Sequence, residues 1–260
     1  MKKFIRWVLN RVPRRHIQKV VHFVTPVAGL AYAGRGVECP VCSRRYRKFM
    51  PYGYGTVREN ALCPGCLALE RHRLFWLFLV RETDFFTARP RLLHIAPERC
   101  FIKRFERLLG DKYITGDLES PLAKVKMDIQ AIPFGADEFD VVFCNHILEH
   151  VDDDRLAMRE MWRVIKPGGW GVMLSPVTPG LAKTYEDPSV TTPEGRAAAF
   201  GQHDHVREYG ADYPDRLAQA GFEVSALNYI ENFTPEDAYR YGLKGEVIYL
   251  VRKPSQPHAE

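Results

Sequence analysis

The sequence predicts an α/β fold with a doubly wound, mostly parallel sheet of seven strands, preceded by an N-terminal helical arm and a small cysteine-rich module. Three observations lead to this prediction. From residue 91 onward, short apolar runs alternate with helical patterns, which is typical of a parallel sheet with crossover helices. Four of the six cysteines form two Cys-x-x-Cys pairs ahead of that region. The chain begins with a stretch rich in lysine and arginine.

Composition supports a folded chain, because 46% of the 260 residues are hydrophobic and 12% are aromatic. The formal net charge of +5 is mild, so binding to nucleic acid is less favoured than binding to a small molecule. We divide the chain into a basic amphipathic arm (1–36), a four-cysteine ribbon (37–70), a connecting helix (71–90), the α/β domain (91–253, with an insert at 177–211) and a disordered tail (254–260).

The arm is expected to be helical and to pack on its own protein. Its apolar run over 20–33 contains His22 and Pro26 and is shorter than a membrane span requires. Phe4 and Trp7, close to basic residues, leave peripheral contact with the inner face of a membrane as the alternative. We recognise no secretory signal, so the predicted location is cytoplasmic.

The cysteine spacing predicts a structural zinc site. Two residues separate the members of each pair and twenty residues separate the pairs, so two knuckles can complete a tetrahedron around one ion. Four protein ligands leave no open position on such an ion. Disulfides or a redox pair are the less favoured alternative. The four predicted ligands are Cys39, Cys42, Cys63 and Cys66.

Ligands of doubly wound sheets bind beyond the carboxyl ends of the strands. The residues at the first four strand ends are Ala96 to Glu98, Asp117, Asp128, and Asn145 with His146. An acid at the end of the second strand can accept hydrogen bonds from ribose hydroxyls. The predicted strands cover 91–96, 112–118, 124–129, 139–146, 170–176, 222–229 and 246–253, and the predicted helices cover 98–109, 152–165 and 212–220.

This ordered set resembles the class I S-adenosylmethionine-dependent methyltransferases, of the methyltransferase type 11 kind, over roughly residues 90–253. The stretch "IPF…FDVVFCNHILEHV" followed by "RVIKPGG" carries the resemblance most specifically. It implies a Rossmann-like fold, S-adenosylmethionine as cofactor, and methyl transfer to an oxygen or nitrogen of a small-molecule or saccharide acceptor.

The resemblance also implies roles for individual residues. Asp117 would bind the ribose, Asp128 the adenine amine, and Ile129 would pack on the adenine ring. Asn145 and His146 would border the methyl donor. The full set of expected cofactor-binding residues is His94, Ala96, Glu98, Asp117, Leu118, Asp128, Ile129 and Asn145.

The stretch "LLHIAPERC" departs from the family pattern, which has an acid where His94 stands and glycines near Ala96 and Glu98. Glycine lets a backbone approach its ligand closely, as pyrophosphate binding would demand. S-adenosylmethionine has no phosphate, so we interpret the loop as one that faces a cation through Glu98. The alternative is a degenerate loop in a non-catalytic cofactor-binding module.

An acceptor that carries a proton needs a base, and histidine suits that role near neutral pH. The insert is long, polar and proline-bearing, and we expect it to cover the acceptor site, with a solvated loop as the alternative. Arg207 is expected to clamp an anionic group of the substrate. The candidate catalytic residues are His146, His150, His203, His205, Arg207 and Tyr209.

The stretch "NHILEH" has a second interpretation. On a helical turn His146, Glu149 and His150 share one face, and with His203 or His205 they would hold a divalent metal. Some small-RNA 2′-O-methyltransferases have a similar E-x-x-E-H stretch plus a distant histidine, which implies a metal-assisted RNA methyltransferase as an alternative function. The favoured interpretation is that Glu149 and His150 only cap and brace the helix after the fourth strand.

Overall fold

A computed structural model describes residues 29–53 and 57–255. The predicted arm up to residue 28 and the predicted tail from residue 256 therefore lie outside the described residues. The described chain forms two compact units. The first contains the chain up to Phe86 together with 98–104 and 229–246, and the second contains 87–97, 105–228 and the chain from Val247. Within these ranges, no helix is both long enough and apolar enough to cross a membrane.

The strands, in chain order, are β1 (Ala33–Cys39), β2 (Arg44–Tyr46), β3 (Met50–Tyr52), β4 (Arg58–Leu62), β5 (Leu92–Ile95), β6 (Tyr113–Asp117), β7 (Val125–Lys126), β8 (Phe139–Asn145), β9 (Ile165–Leu174), β10 (Tyr185–Glu186), β11 (Arg207–Glu208), β12 (Glu223–Leu227) and β13 (Ile248–Arg252). The helices are α1 (Glu70–Glu82), α2 (Phe85–Ala88), α3 (Arg99–Leu109), α4 (Asp154–Val164), α5 (Pro193–Phe200), α6 (Tyr213–Gln219) and α7 (Pro235–Tyr241). A 3-10 turn at Leu148–His150 follows β8.

The second unit is built on one seven-stranded sheet in the order β12-β13-β9-β8-β5-β6-β7. The five strands from β9 to β7 run parallel, and β13 is antiparallel to both of its neighbours. This confirms the predicted doubly wound, mostly parallel sheet. The chain enters the sheet at β5, the middle one of the five parallel strands, and then builds outward on both sides, so the strand order reverses beside β5. Such a reversal opens a crevice at the carboxyl edge of a sheet.

Burial on both faces explains why the central strands are nearly continuous apolar runs. All four residues of β5 are buried, and Leu93 and Ile95 belong to the main hydrophobic core. Met158 and Met161 of α4 belong to the same core. The sequence predicts the fifth strand from residue 170, but β9 starts at Ile165, directly after α4. The "KPGG" stretch therefore lies inside the strand, and it does not form a loop between helix and strand.

The two Cys-x-x-Cys knuckles of the first unit have matching backbones. The residue after each second cysteine, Ser43 or Leu67, adopts a left-handed conformation with φ of 57° or 64°. Its N–H donates to the carbonyl of the first cysteine, at 2.7 Å for Ser43 and 2.9 Å for Leu67. Gly65 is required in the second knuckle, because a Cβ there would lie 2.2 Å from the hydroxyl of Tyr46.

Arg73 is the central polar residue of the first unit. The sequence suggests that Glu70, His72 and Arg73 form a solvated helix end, but all three are buried and Arg73 is 0% exposed. Its guanidinium donates to four main-chain carbonyls and lies 4.1 Å from the centre of the Phe49 ring. The carbonyls belong to Ala61 (2.9 Å), Ala68 (2.7 Å), Tyr241 (2.7 Å) and Gly242 (2.6 Å). One buried cation thus joins the ribbon, α1 and the segment that follows α7.

A second buried ion network ties the insert to α4. Asp154 is 2% exposed, and its carboxylate accepts hydrogen bonds from Arg216 at 2.7 and 3.0 Å and from the hydroxyl of Tyr209 at 2.7 Å. Arg207 lies 3.8 Å from the same carboxylate. Burial alone would raise the pKa of Asp154, but the Arg216 hydrogen bonds and the charge of Arg207 outweigh it and lower the pKa. Asp154 is therefore charged at neutral pH.

We predict that Arg73→Met lowers the free energy of unfolding by about 3 kcal/mol or more, because four buried carbonyls lose their donor at once. Lys48→Met is the matched control, since Lys48 is 55% exposed and its ion pair with Glu59 spans 4.0 Å. The control should change stability by less than about 0.5 kcal/mol. Urea denaturation of the full chain measures both, and equal stability of the two variants would contradict the assigned role of Arg73.

Asp154→Asn should destabilise the chain by about 3 kcal/mol, because the buried guanidinium groups of Arg207 and Arg216 lose their buried carboxylate and keep only that of Glu186, which is 38% exposed. The adjacent Asp153→Asn is the control: Asp153 caps α4 by accepting from the Leu156 N–H at 2.9 Å, and asparagine caps equally well. A lowered pKa makes this stabilisation complete above the ordinary value of 3.8 and removes it as the pH falls below that value. Denaturation midpoints between pH 3 and 7 test this, and a constant difference over that range would refute it.

Candidate functional site

The carboxyl ends of four parallel strands form one continuous edge in the second unit. In the pairing register, Ile95 of β5 is level with Gly116 of β6 and with Cys144 of β8. Asp117 is in turn level with Lys126 of β7. The residues that follow these positions therefore leave the sheet side by side, as the sequence predicts for a ligand site.

At the ends of β6 and β7, two predicted cofactor residues shape the loops that follow. The Asp117 carboxylate accepts from the N–H groups of Glu119 at 2.8 Å and Ser120 at 2.6 Å. The Asp128 carboxylate, which is exposed, accepts from the N–H of Gln130 at 2.8 Å. Of their predicted neighbours, Ile129 is buried at 6% exposure and Leu118 is 55% exposed. The two acids thus stand at the ends of adjacent parallel strands.

The loop after β5 keeps a glycine-like backbone without a glycine. Ala96 has a φ of 46°, in the left-handed region, and its N–H donates to the Gly116 carbonyl at 2.8 Å. This conformation costs a non-glycine residue on the order of 1 kcal/mol and is held by the surrounding structure. The chain therefore makes a left-handed turn at Ala96 although the loop contains no glycine. Glu98 falls in the first unit, where its carbonyl accepts from the Phe101 N–H at 2.9 Å.

The side chain of His94, a predicted cofactor-binding residue, packs inside the protein. His94 is 0% exposed, and its Nδ1 lies 2.9 Å from the hydroxyl of Tyr113. The rings of Phe105 and Phe143 surround it at 6.0 and 5.9 Å between centroids. The cause is the alternation of a strand, which sends His94 to the aromatic side of the sheet.

The end of β8 carries a histidine–glutamate pair. Asn145 is buried at 7% exposure, and His146 follows it with a left-handed φ of 56°. His146 Nδ1 lies 3.5 Å from Glu149 Oε1, and Glu149 is 2% exposed. Ser175 donates its hydroxyl to Glu149 Oε2 at 3.2 Å. Burial alone would raise the pKa of Glu149, but the hydrogen bond and charge of His146 outweigh it and lower the pKa.

The insert brings one of its two histidines to this pair. His205 is 5% exposed, and its ring stands edge-on to the ring of His150, with 4.7 Å between the centroids. The Val206 N–H donates to the Glu149 carbonyl at 2.9 Å, which fixes the insert beside the 3-10 turn. His203 does not join the cluster: its side chain is 66% exposed and lies 3.9 Å from Asp204.

Arg207 and Tyr209, two of the candidate catalytic residues, are buried in the hydrogen-bond network of the insert. Arg207 is 2% exposed, and its guanidinium donates to the carbonyls of Leu148 at 2.6 Å and Asp152 at 2.8 Å, and to that of Val151. Tyr209 is 0% exposed and donates its hydroxyl to Asp154. Both side chains are occupied by the protein itself, so they position the insert instead of clamping an anionic substrate.

Sequence reasoning missed Ser175, which the structure places against Glu149. Ser175 follows directly after β9, so it occupies the fifth strand end of the same sheet. The rule that ligands bind beyond the carboxyl ends of the strands indicates Asp117, Asp128 and Asn145, and at the end of the fifth strand it also indicates Ser175.

The four cysteines of the first unit converge on one point. Cys39 Sγ lies 3.6 Å from Cys66 Sγ, and Cys42 Sγ lies 3.7 Å from Cys63 Sγ. All four sulfurs lie within 4.8 Å of one another and none forms a disulfide. A tetrahedron with metal–sulfur bonds of about 2.3 Å has sulfur–sulfur edges of about 3.8 Å. The spacing of the sulfurs therefore fits a tetrahedral four-thiolate metal site.

The residues of the carboxyl edge fit the expected cofactor. A carboxylate at the end of the second parallel strand suits ribose hydroxyls. Ile129 follows Asp128 directly and is 6% exposed. The left-handed turn at Ala96 lets the backbone turn sharply at the end of β5.

Comparison with known proteins agrees with this chemistry. A family described as "Methyltransferase domain" matches residues 91–173. The ubiquinone/menaquinone biosynthesis C-methyltransferase UbiE of Cronobacter sakazakii is 30% identical over 181 residues, which cover 57% of this chain and 67% of that protein. UbiE of Pectobacterium carotovorum is 29% identical with the same coverage.

Two solved structures are also similar. One is an S-adenosylmethionine-dependent methyltransferase from Mesorhizobium loti, with a TM-score of 0.44, 17% identity, and coverage of 69% of this chain and 98% of that one. The other is the 1,6-didemethyltoxoflavin-N1-methyltransferase of Burkholderia thailandensis, with a TM-score of 0.45, 16% identity, and coverage of 66% and 74%. The sequence matches to the methyltransferase domain and to the UbiE proteins decide the assignment: the chain belongs to the class I S-adenosylmethionine-dependent methyltransferases.

Proposed function

We propose that this methyltransferase transfers the methyl group of S-adenosylmethionine to an oxygen or nitrogen of a small-molecule or saccharide acceptor. The observation that supports this proposal most directly is the His146–Glu149 pair at the end of β8. An acceptor hydroxyl or amine loses a proton when it is methylated, and a histidine whose ring is oriented by a carboxylate is suited to take it.

The proposed roles follow from the positions along the carboxyl edge. Asp117 and Asp128 would hold the ribose and the adenine, and Ile129 would pack on the adenine ring. Bound S-adenosylmethionine supplies an electrophilic methyl group on a sulfonium. The protein holds acceptor and methyl in line, which accounts for most of the rate enhancement in such displacements. Glu149 is ionised and keeps His146 in a fixed orientation, and His146 accepts the acceptor's proton.

Methylation of carbon is the second candidate, and the names of the relatives favour it. The matched UbiE proteins are C-methyltransferases of ubiquinone and menaquinone biosynthesis, and this chain matches about two thirds of their length. A ring carbon becomes nucleophilic when a neighbouring hydroxyl is ionised, so the same histidine base would serve. The two candidates differ in the atom that receives the methyl group.

Asp117→Asn should weaken binding of S-adenosylmethionine about 10- to 100-fold, because hydrogen bonds to a charged acceptor contribute roughly 1.5–3 kcal/mol each. Asparagine keeps an oxygen that can accept from the Glu119 and Ser120 N–H groups, so the loop should persist. Asp111→Asn is the control, since Asp111 is exposed on a turn before β6. Calorimetric titration measures both variants, and unchanged affinity for Asp117→Asn would remove the ribose assignment.

His146→Asn should lower turnover about 100-fold or more while cofactor affinity stays unchanged, because general-base catalysis typically contributes that much. Asparagine tolerates the left-handed backbone at this position. The exposed His203→Asn is the control. Turnover is followed as release of S-adenosylhomocysteine with a panel of polyhydroxylated aromatics and sugar nucleotides.

The same panel identifies the acceptor atom. With a ¹³C-labelled methyl group, the carbon chemical shift of the product separates O-, N- and C-methyl groups. An O- or N-methyl product supports the first candidate and a C-methyl product supports the second. Wild-type turnover in His146→Asn would contradict the assignment of the base in both.

We also propose that the four-cysteine site binds one structural zinc ion. The sulfur spacing suits Zn²⁺, and the four thiolates fill its coordination sphere, so no position remains for a substrate. Four thiolates on Zn²⁺ carry net negative charge, and the buried, positively charged Arg73 donates to the carbonyls of Ala61 and Ala68, on either side of the second cysteine pair. The ion and Arg73 would then stabilise the same small unit, which has few other means of holding its loops.

A further inference from the structure

A second group of potential metal ligands lies at the carboxyl edge of the sheet, in the second unit. Glu149, His150 and His205 each offer one ligand atom, and these atoms all lie within 4.8 Å of one another. Glu149 and His150 come from the 3-10 turn after β8, and His205 comes from the insert. They are separate from the four cysteines, which belong to the first unit.

The hydrogen bonds of the two histidines fix their tautomers. His150 Nδ1 lies 3.1 Å from the carbonyl oxygen of Asp204, and His205 Nδ1 lies 3.2 Å from that of Phe200. A carbonyl only accepts, so each Nδ1 carries the hydrogen, and in the neutral ring Nε2 carries a lone pair. A backbone carbonyl behind the N–H of each ring is the usual support of a metal-binding histidine.

The three side chains lie in a space that is largely closed to water. Glu149 is 2% exposed, His205 is 5% exposed and His150 is half-buried. Two imidazole rings and one carboxylate are therefore held close together with little solvent around them.

His205 has one polar atom that the rest of the described chain does not satisfy. Its Nε2 is buried and has no hydrogen-bond partner among the residues that the structure describes. Leaving a buried acceptor unpaired is unfavourable, because the atom has lost its water without gaining another partner. A cation between the three side chains would satisfy this atom and neutralise the buried carboxylate at once.

We propose that Glu149, His150 and His205 bind one divalent transition-metal ion. Two imidazole nitrogens and one carboxylate oxygen suit Zn²⁺ and its neighbours in the first transition row, and three protein ligands leave a coordination position open. Water or an oxygen of the acceptor would fill that position; the acceptor part rests on the proposed methyl transfer, whereas the metal site itself does not.

The surrounding contacts hold the three ligands in place. The Ser175 hydroxyl donates to Glu149, and the Val206 N–H donates to the Glu149 carbonyl next to His205. Arg207 holds the carbonyls of the 3-10 turn. The buried network of the insert thus has a consequence for function, because it brings His205 to a turn 55 to 57 residues earlier in the chain.

The test counts bound zinc in the full-length protein. Each variant is equilibrated by dialysis against buffered free Zn²⁺, and zinc per chain is measured by inductively coupled plasma mass spectrometry. We expect two zinc ions in the wild type and in the control His203→Ala, whose side chain is exposed two residues from His205. We expect one in His205→Ala, one in His150→Ala, and one in Cys63→Ser, which opens the four-cysteine site. Loss of a ligand should weaken the second ion more than about 100-fold.

Two results would overturn the proposal: a wild type with a single zinc ion that Cys63→Ser removes, or a second ion that persists in both His205→Ala and His150→Ala. Circular dichroism shows whether each variant is folded. His150 is half-buried and His205 is buried, so His150→Ala is expected to disturb the fold less than His205→Ala. The zinc measurement uses neither an acceptor nor S-adenosylmethionine. The absence of a second ion would therefore contradict the metal site and would not contradict the proposed methyl transfer. A chain with two ions and no turnover would instead contradict the proposed function alone.

Discussion

The parallel register between β5 and its neighbours is the constraint on which the site depends. Because Ile95, Gly116 and Cys144 lie level in three adjacent strands, the residues that follow them leave the sheet at one edge. The apolar, two-sided burial of β5 and β8 holds that register, since a slip by one residue would exchange the two faces of the strand. Asp117, Asp128 and His146 are far apart in sequence and share an edge for this reason alone.

Buried charged residues fix the segments that lie outside the seven-stranded sheet. In the second unit Asp154 holds two arginines and a tyrosine that belong to the insert and to α6, and so fixes a segment that has only short strands of its own. In the first unit Arg73 performs a comparable task with main-chain carbonyls. Such groups contribute less to net stability than to specifying one arrangement, because their desolvation offsets much of their attraction. Here the specified arrangement places His205 beside Glu149.

The fold was largely predictable from local pattern. The strands at 92–95, 113–117, 139–145, 223–227 and 248–252 lie within the predicted ranges, and the three helices predicted in the α/β domain match α3, α4 and α6 to within two residues at each end. The residues at the strand ends were then also predictable, because the carboxyl ends of parallel strands lie at one edge of the sheet. The cysteine spacing was also sufficient to place four sulfurs together.

What could not be predicted depends on contacts between distant segments. Asp154 stands next to Asp153 in an acidic run that is typical of an exposed helix start, and its burial depends on distant partners, Arg216 and Tyr209. The sequence indicates Arg207 and Tyr209 as candidate catalytic residues, because it does not show that their hydrogen-bond partners lie in a distant segment of the chain. His94 replaces an acid of the family pattern, and its pairing with Tyr113 depends on which side of β5 it faces. The left-handed turn at Ala96 is invisible in a stretch without glycine.

The proposed cofactor site depends on acids at adjacent strand ends that bind the nucleoside of S-adenosylmethionine. A crystal structure of the chain with S-adenosylhomocysteine would show whether they do. We expect the ribose hydroxyls within hydrogen-bond distance of Asp117, and the adenine ring against Ile129 with its amine near Asp128. A nucleoside bound elsewhere, or one whose ribose makes no contact with Asp117, would refute this site.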